Sequence, residues 1–278
     1  MMPTIAQALA TAALEAVDAR VLLRHALGVD EAYLIAHDRD VLTSAQREKF
    51  EALVERRCAG EPVAYITGTR EFFGLEFKVT PAVLIPRPET ELLVDWTLEK
   101  ISPDTNARVL DLGTGSGCIA ISVAQARPRA RVIAVDCAAA AIEVARANAQ
   151  RHRVVNVEFR EDEWFSGLAG WRFELIVANP PYIAAGDAHL STGDLRFEPA
   201  AALASGADGL DAIRVIVAAA PQYLQAGGWL AFEHGYDQAP RCRDLLEHAG
   251  FTQVFSHADL AGIERISGGC LDATQRKS

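Results

Sequence analysis

The sequence has few of the features that mark exported, membrane-bound or metal-binding proteins. Only five of its 278 residues are cysteines, and no two stand at C-x-x-C spacing. This argues against a zinc knuckle and a disulfide framework, and it indicates a reducing compartment. The first residues contain no basic region followed by an apolar run, and no uncharged stretch approaches the ~20 residues of a membrane span. We therefore expect a soluble, cytoplasmic protein without a membrane partner or a metal.

Positive charge is also scarce. The chain carries 27 basic and 37 acidic side chains, for a formal net charge of −10. Tight binding along a phosphate backbone depends on lysines and arginines that displace counterions. The charge balance therefore argues against a stable nucleic-acid partner. Half of the residues are apolar, which is enough to form a sizeable core.

The first 90 residues change character once. Residues 1–68 have helical periodicity, with a predicted capping box at Thr43 and Gln46 and a break at Gly60-Glu61-Pro62. A helical domain this small buries little core, so we expect it to pack on another element or to dock a partner. Residues 69–90 are predicted to be a β-hairpin connector that ends in stiff, proline-rich chain.

The remainder, residues 91–278, alternates between strand and helix. Such alternation predicts an α/β domain with a doubly wound, mostly parallel sheet and helices on both faces. Strands are predicted at 108–112, 131–136, 154–159, 173–178 and 229–233, with two more near 252–256 and 262–267; helices are predicted at 89–101, 119–126, 138–150 and 210–224 and near Asp244.

A glycine loop follows the first of these strands. Gly113-Thr114-Gly115-Ser116-Gly117 has the pattern G-x-G-x-G. It differs from the dinucleotide fingerprint, because Cys118 stands at the third glycine position, and from a P-loop, because no Gly-Lys-Ser/Thr follows. Glycines at a strand–helix turn allow a ligand to approach the main chain closely.

An acidic residue completes the pattern of a nucleoside site. Asp136 ends the second strand, 19 residues beyond Gly117, where a carboxylate can accept hydrogen bonds from two ribose hydroxyls. The pattern favours a nucleoside without a pyrophosphate, such as S-adenosylmethionine, whose sulfonium would favour a nearby carboxylate such as Asp111. Trp164, after the third strand, stands where an adenine could be stacked or bound at its edge.

The fourth strand ends in the sequence Asn179-Pro180-Pro181-Tyr182, here called the NPPY segment. The prolines stiffen the chain and remove two donors, which leaves the Asn179 side-chain oxygen and the Pro180 carbonyl as acceptors. Two acceptors can hold both N–H bonds of a planar nitrogen, while Tyr182 offers a flat face and cation–π attraction. The segment therefore predicts methyl transfer to an amide or an aromatic amine and needs no general base.

With these motifs in order, the chain resembles the HemK/PrmC family, bacterial methyltransferases that modify the glutamine of the Gly-Gly-Gln loop in peptide chain release factors. The resemblance covers nearly the whole chain and includes residues 62–68, 85–91, 111–117, 179–183, 196–199 and 233–235. It implies a Rossmann-like class I methyltransferase domain with a seven-stranded, mostly parallel sheet. It also implies that the helical domain helps to recognise the release factor, and that S-adenosylmethionine is converted to S-adenosylhomocysteine.

The resemblance also assigns residues to the site. Asn179, Pro180 and Tyr182 would be catalytic, and Pro181 would join them in holding the glutamine. The methyl donor would contact Gly113, Thr114, Gly115, Ser116, Gly117, Asp136, Trp164 and Asn179. The family's connector suggests a role for Arg87 at the substrate entrance, alongside simple packing of the hairpin.

Some alternatives remain open at this level. An adenine N6-methyltransferase acting on nucleic acid would present the same planar amine, although it would need base flipping and a phosphate-binding surface. A non-catalytic protein that retains the fold is disfavoured by the intact NPPY segment. Before Trp164, the run Glu161-Asp162-Glu163 is more acidic than the usual family pattern, so any of the three could meet the adenine amine. His234, at a strand end without a nearby nucleophile, is expected to be structural.

Overall fold

A computed structural model describes residues 2–272, which separate into two units. The first unit contains the chain up to Thr69 together with Thr192–Phe197, and the second contains the rest. Five helices build the first unit around a core that includes Leu22, Leu23 and Phe50. These helices are α1 (Ile5–Thr11), α2 (Ala16–Leu27), α3 (Glu31–Ala36), α4 (Ser44–Cys58) and α5 (Val63–Thr67).

Local sequence signals set the ends of these helices. The predicted capping box at the start of α4 is confirmed, since the Thr43 hydroxyl accepts from the Gln46 amide and the Gln46 side chain accepts from the Thr43 amide. Helix α2 ends at Leu27, and the following Gly28 has a φ of 69°, in the left-handed region that glycine tolerates. Local capping therefore accounts for both of these helix ends.

The sequence did not indicate that Thr192–Phe197 belongs to the first unit. Within that unit the Arg57 guanidinium donates to Asp18 and to Asp194, in both cases over 2.8 Å. Arg196 donates to the carbonyl of Ala59 over 3.0 Å. These charge-assisted contacts attach a short segment, which follows the NPPY segment in sequence, to the helices.

Except for Thr69, the predicted hairpin belongs to the second unit. It consists of β1 (Thr69–Phe72) and β2 (Leu75–Lys78), and its turn is Phe73-Gly74. Its main element is a seven-stranded sheet in the order β5-β4-β3-β6-β7-β9-β8, parallel except for β9. The sheet strands are β3 (Arg108–Leu112), β4 (Arg131–Asp136), β5 (Val157–Glu161), β6 (Phe173–Ala178), β7 (Leu224–Glu233), β8 (Phe251–Ala258) and β9 (Glu264–Leu271).

Two apolar clusters fill this unit. The second unit's helices are α6 (Glu91–Lys100), α7 (Cys118–Ala126), α8 (Ala139–Arg151), α9 (Ala200–Leu203), α10 (Asp211–Ala219) and α11 (Ala239–His248). In β3, one cluster contains Leu110 and Leu112 and the other contains Val109, so the two clusters take alternate strand positions. Alternation along a strand sends side chains to opposite faces, so each face of the sheet carries its own core. The predicted Rossmann-like α/β class is confirmed.

The predicted elements differ from the observed ones mainly at their ends. Strand β7 begins at Leu224, five positions before the predicted start, because Leu224 pairs with Phe173 across a register irregularity. Helix α10 ends at Ala219, since Pro221 cannot continue a regular helix and lies in a short 3-10 turn. Strand β5 starts later than predicted, and β9 is shifted toward the carboxyl terminus, because cross-strand pairing rather than residue type sets these limits.

The strand order determines where a ligand can bind. From β3, the chain places β4 and β5 on one side and β6 and β7 on the other. Ligands of open α/β sheets bind beyond the carboxyl ends of the strands at such a reversal. The glycine loop after β3 and the NPPY segment after β6 therefore lie at the same edge. No helix among residues 2–272 is long and apolar enough to cross a membrane.

Candidate active site

A cavity of about 230 Å³ opens at this edge of the second unit. It brings together both motifs and the end of β4. Of the residues predicted to bind the donor, the cavity is lined by Gly113, Thr114, Gly115, Ser116, Asp136, Trp164 and Asn179. Gly117 is the one member of that set outside the lining. Seven of the eight residues predicted to bind the donor therefore line this cavity.

The glycine loop is held by main-chain hydrogen bonds to β4. The amides of Gly113 and Thr114 both donate to the Val135 carbonyl over 2.9 Å. Gly113, Gly115 and Gly117 all have positive φ, which side chains disfavour. A Cβ at Gly117 would also lie 2.9 Å from Ile121 Cδ1, so this glycine serves the packing of the loop on α7.

Asp136 has two local partners and still faces the cavity. Its Oδ2 accepts from the Gly115 amide over 2.9 Å, and its Oδ1 accepts from the Ala138 amide over 3.0 Å. The carboxylate therefore fixes the glycine loop and the residue that precedes α8. A carboxylate has about four lone-pair positions, so the same group retains capacity for two ribose hydroxyls.

Two of the three acidic residues before Trp164 line the cavity. Asp162 and Glu163 line it, whereas Glu161 is an exposed residue of β5 outside the lining. Asp162 accepts from the Ser166 hydroxyl over 2.9 Å. Trp164 has a φ of 50°, an unfavourable region for a large side chain that usually costs roughly 1–3 kcal/mol. The indole packs against the apolar cluster that contains Leu110, and this packing opposes that cost.

Asp111 lies beneath the loop and not in the cavity wall. It is fully buried, and the Thr114 hydroxyl donates to its Oδ2 over 2.7 Å. Its Oδ1 has no hydrogen-bond partner among the described residues. Burial raises the pKa of this carboxyl to about 7, opposed by the bond from Thr114. Thr114 lines the cavity, so Asp111 is connected to the cavity through the Thr114 hydroxyl.

The NPPY segment contributes two residues to the cavity wall, Asn179 and Pro181. Pro180 is buried, and Tyr182 packs partly buried against the apolar cluster on its face of the sheet. Neither is part of the lining, although sequence reasoning placed both at the substrate.

Two residues that sequence reasoning gave no role hold the NPPY segment in place. The Asn179 amide nitrogen donates to Thr90 Oγ1 over 3.1 Å, and Thr90 Oγ1 donates to Glu233 Oε2 over 2.6 Å. The Tyr182 hydroxyl donates to Glu233 Oε1 over 3.1 Å. Thr90 and Glu233 lie within the segments that carry the family resemblance, which is the signal that could have identified them.

Burial shifts the pKa values of the two ionisable groups that support the NPPY segment, Glu233 and Tyr182. Glu233 and Thr90 are each 2% exposed. Burial raises the pKa of Glu233, while the hydrogen bonds from Thr90 and Tyr182 oppose that rise. Burial and the Glu233 carboxylate together raise the pKa of Tyr182, so its hydroxyl stays protonated.

Arg87 and His234 have clear structural partners. Arg87 lines the cavity and forms an ion pair with the buried Glu198 carboxylate, which also accepts from the Ile85 amide over 2.9 Å. His234 is fully buried between Ser267 Oγ at 2.8 Å and the Gly235 carbonyl at 2.9 Å, and burial lowers its pKa. Its structural role is as expected.

Among residues 2–272, no group of three or more His, Cys, Asp or Glu is placed to hold a metal.

Known proteins match the chain along nearly its full length. A family model described as the PrmC N-terminal domain matches residues 4–68, and one described as the methyltransferase small domain matches residues 88–208. The release factor glutamine methyltransferase of Burkholderia pseudomallei is 53% identical over 274 residues, with 96% of each chain covered. That of Xylella fastidiosa strain 9a5c is 50% identical over 260 residues, with 94% of each covered.

The chain belongs to the release factor glutamine methyltransferase family. Among solved structures, the T. thermophilus 16S rRNA N2 G1207 methyltransferase in complex with AdoMet and guanosine is similar with a TM-score of 0.53. The match covers 73% of this chain and 49% of that one at 20% identity, which supports the methyltransferase fold alone. For a release factor glutamine methyltransferase, the cavity and the NPPY segment are the candidate active site.

Proposed function

We propose that this chain transfers the methyl group of S-adenosylmethionine to the side-chain amide nitrogen of the glutamine in the Gly-Gly-Gln motif of peptide chain release factors. One observation carries the proposal. Asn179 lines the same cavity as the glycine loop and Asp136, and its own amide nitrogen is bound to Thr90. An oriented amide oxygen therefore stands beside a site suited to a nucleoside.

We assign the donor to the cavity wall formed by the glycine loop and Asp136. Asp136 would bind the ribose hydroxyls, and the main chain of Gly113–Ser116 would approach the methionyl part of the donor. Trp164 would contact the adenine, with Asp162 or Glu163 beside its amine. The 16S rRNA methyltransferase of similar fold was solved in complex with AdoMet, which supports the same class of donor. No step in this scheme needs a metal.

The chemical task is to activate a weak nucleophile. The lone pair of a glutamine amide is delocalised, so its nitrogen attacks poorly. The Asn179 side-chain oxygen and the Pro180 carbonyl would accept its two N–H bonds, orient the nitrogen and stabilise its growing positive charge. The nitrogen–methyl bond forms as the sulfur–methyl bond breaks, and S-adenosylhomocysteine leaves as a neutral thioether. The methylated nitrogen then loses a proton to water.

Tyr182 would act through its ring only, because its hydroxyl is bound to Glu233. The flat face would hold the planar amide and attract partial positive charge. Tyr182 packs against the apolar cluster and its neighbour Pro181 lines the cavity, so we expect the substrate to reach the ring from the Pro181 side. Arg87 would help to keep the cavity mouth open through its ion pair with Glu198.

The partner would be a release factor in the cytoplasm, with no stable nucleic acid or membrane involved. The helical domain, residues 1–68, would recognise the protein substrate; residues 69–90 would connect it to the methyltransferase domain, residues 91–278. An adenine amine is equally planar, but the net charge of −10 and family membership both favour a protein substrate.

A three-way labelling experiment tests this proposal. Purified protein and S-adenosylmethionine with a labelled methyl group are mixed with a release factor, with the same factor carrying alanine in place of the Gly-Gly-Gln glutamine, or with DNA. Label is expected only on the factor that retains the Gly-Gly-Gln glutamine. Label on DNA and none on the factor would establish the adenine alternative instead.

A further inference from the structure

The residues that support Asn179 form a continuous chain of hydrogen bonds. Asn179 donates to Thr90, 89 positions away in sequence, and Thr90 donates to Glu233, 143 positions away. Tyr182 donates to the other oxygen of the same carboxylate. Thr90 and Glu233 are both buried, and of the two only Thr90 also lines the cavity, so Glu233 can influence the substrate only through its neighbours.

The direction of these bonds determines what Asn179 can offer. A threonine hydroxyl has one hydrogen and two acceptor positions. An ionised Glu233 can only accept, so Thr90 must give its hydrogen to the carboxylate. Thr90 can then only accept from Asn179, and the asparagine must turn its amide nitrogen toward it. The Asn179 side-chain oxygen takes part in no hydrogen bond among residues 2–272 and remains available.

We propose that Glu233 is a positioning residue that, acting through Thr90, holds Asn179 with its side-chain oxygen available to the substrate nitrogen. This rests on the proposed function only in requiring that Asn179 receives an N–H bond from the methylated group. Without the carboxylate, the two orientations of an asparagine amide differ little in shape, and nothing local would select the oxygen over the nitrogen.

Protonation of Glu233 reverses the selection. A protonated carboxyl donates one hydrogen, and if that hydrogen goes to Thr90, the threonine hydroxyl is free to donate to the Asn179 oxygen. The asparagine then presents two N–H bonds to a substrate that itself has only N–H bonds to give. Besides Thr90 and Tyr182, the groups acting on Glu233 are Glu89, which raises its pKa, and Arg265, which lowers it, with the Cys118 thiol also within its field.

Because burial raises the pKa of Glu233, the required ionised form is lost on the acidic side at a higher pH than for an ordinary glutamate. The turnover number kcat should therefore fall as pH decreases through this pKa. Donor affinity should be unaffected by it, because Glu233 lies outside the cavity lining.

Four variants test the proposal with the methyl acceptor that the wild-type protein modifies. Thr90→Val keeps the shape but removes the hydroxyl, and Glu233→Gln forces one of its two bonds to reverse. Thr90→Val should lower kcat by about 10-fold or more, somewhat less than the loss of a group that touches the reacting atoms. Glu233→Gln should lower kcat similarly when its amide nitrogen faces Thr90, and it should leave the dissociation constant for the donor unchanged because Glu233 lies outside the cavity lining. Thr90→Ser restores the hydroxyl and should retain most of kcat.

Glu174→Gln is the matched control. Glu174 also accepts two hydrogen bonds, from the Arg108 amide and the Gln225 side chain, but at the opposite end of β6. Its kcat should stay at the wild-type value. In the pH profile of kcat, the acidic limb of the wild type should be absent or displaced in Glu233→Gln and retained in Glu174→Gln.

Two results would overturn the proposal: a wild-type pH profile of kcat for Glu233→Gln, or equal losses of kcat for Thr90→Val and Thr90→Ser. If Glu233→Gln does not fold, the Thr90 pair decides alone, with circular dichroism to confirm that both variants are folded. If the wild type labels DNA and not the release factor, the proposed function fails. The same variants assayed on DNA still decide this proposal, because an adenine amine also needs the Asn179 oxygen.

Discussion

The two walls of the cavity are built in different ways. The glycine loop is fixed by nearby main-chain bonds and by one carboxylate, Asp136, that follows it by some twenty positions. The NPPY segment is fixed by side chains that come from the start of α6 and the end of β7. One wall depends on a local turn, and the other depends on a buried network between distant parts of the chain.

This difference separates binding from chemistry. Main-chain amides and a shaped turn suit a donor that only has to be held, because they bind it in all states equally. Transfer to a weak nucleophile needs interactions that strengthen as charge develops, and these need an acceptor held in one orientation. We therefore expect damage to the glycine-loop wall to alter donor affinity and damage to the NPPY wall to alter kcat.

The largest effect is expected from Asn179→Ala. Removal of the amide takes away one oriented acceptor, and kcat should fall about 10²-fold or more, while the donor dissociation constant stays close to the wild-type value. Single-turnover kinetics and calorimetry measure the two quantities. Asn106→Ala, at an exposed asparagine, serves as the control. Undiminished turnover would mean that Asn179 is only a turn residue and would remove the contrast between the walls.

Asp136→Ala should have the next largest effect, and this effect should be on donor affinity and not on kcat. Hydrogen bonds to a charged acceptor contribute roughly 1.5–3 kcal/mol, so the donor dissociation constant should rise about 10- to 100-fold. At saturating donor, kcat should be nearly unchanged. Calorimetric titration with S-adenosylmethionine measures the loss, and Asp104→Ala, at an exposed aspartate, should show none. Equal affinity in the Asp136 variant would rule out the ribose assignment.

The smallest effect is a pH dependence that comes from Asp111. Its pKa of about 7 means that it is neutral at pH 6 and ionised at pH 8. An ionised Asp111 attracts the sulfonium, so donor affinity should increase about 2- to 5-fold between these values, a modest effect for charges separated by a side chain. Asp111→Asn should abolish the change.

S-adenosylhomocysteine provides the matched control for this titration, because its sulfur carries no charge. Its affinity should remain flat from pH 6 to pH 8 in the wild-type protein. A parallel increase for both ligands would trace the pH dependence to some other group and would leave Asp111 as a purely structural carboxyl.

Sequence patterns predicted the glycine-loop wall more completely than the NPPY wall. Strands β3, β4 and β6 have the predicted bounds, since each is a short apolar run with a turn or helix signal at its end. Gly113–Ser116 and Asp136 are in the cavity wall as expected, because strand order alone brings their ends together. Gly117 is not, because its conformation serves the contact with α7.

The NPPY segment was recognised as a set of acceptors, but its supports were not. Thr90 and Glu233 have no periodic or spacing signal that ties them to Asn179, and their pairing depends on a parallel sheet that places β6 beside β7. The same sheet explains why Tyr182 packs partly into the core and why its hydroxyl is already committed.

The sequence by itself therefore determined the α/β class, the order of motifs, the glycine loop with its acidic partner, and the chemistry that an Asn-Pro-Pro-Tyr turn can perform. Only the tertiary structure decided which atoms of that turn are free. Motifs are local and survive in a linear pattern, whereas the orientation of an asparagine amide depends on hydrogen-bond partners that long-range packing brings within 3.1 Å. The glycine loop could be predicted because local contacts hold it. The support of Asn179 could not be predicted because residues distant in sequence provide it.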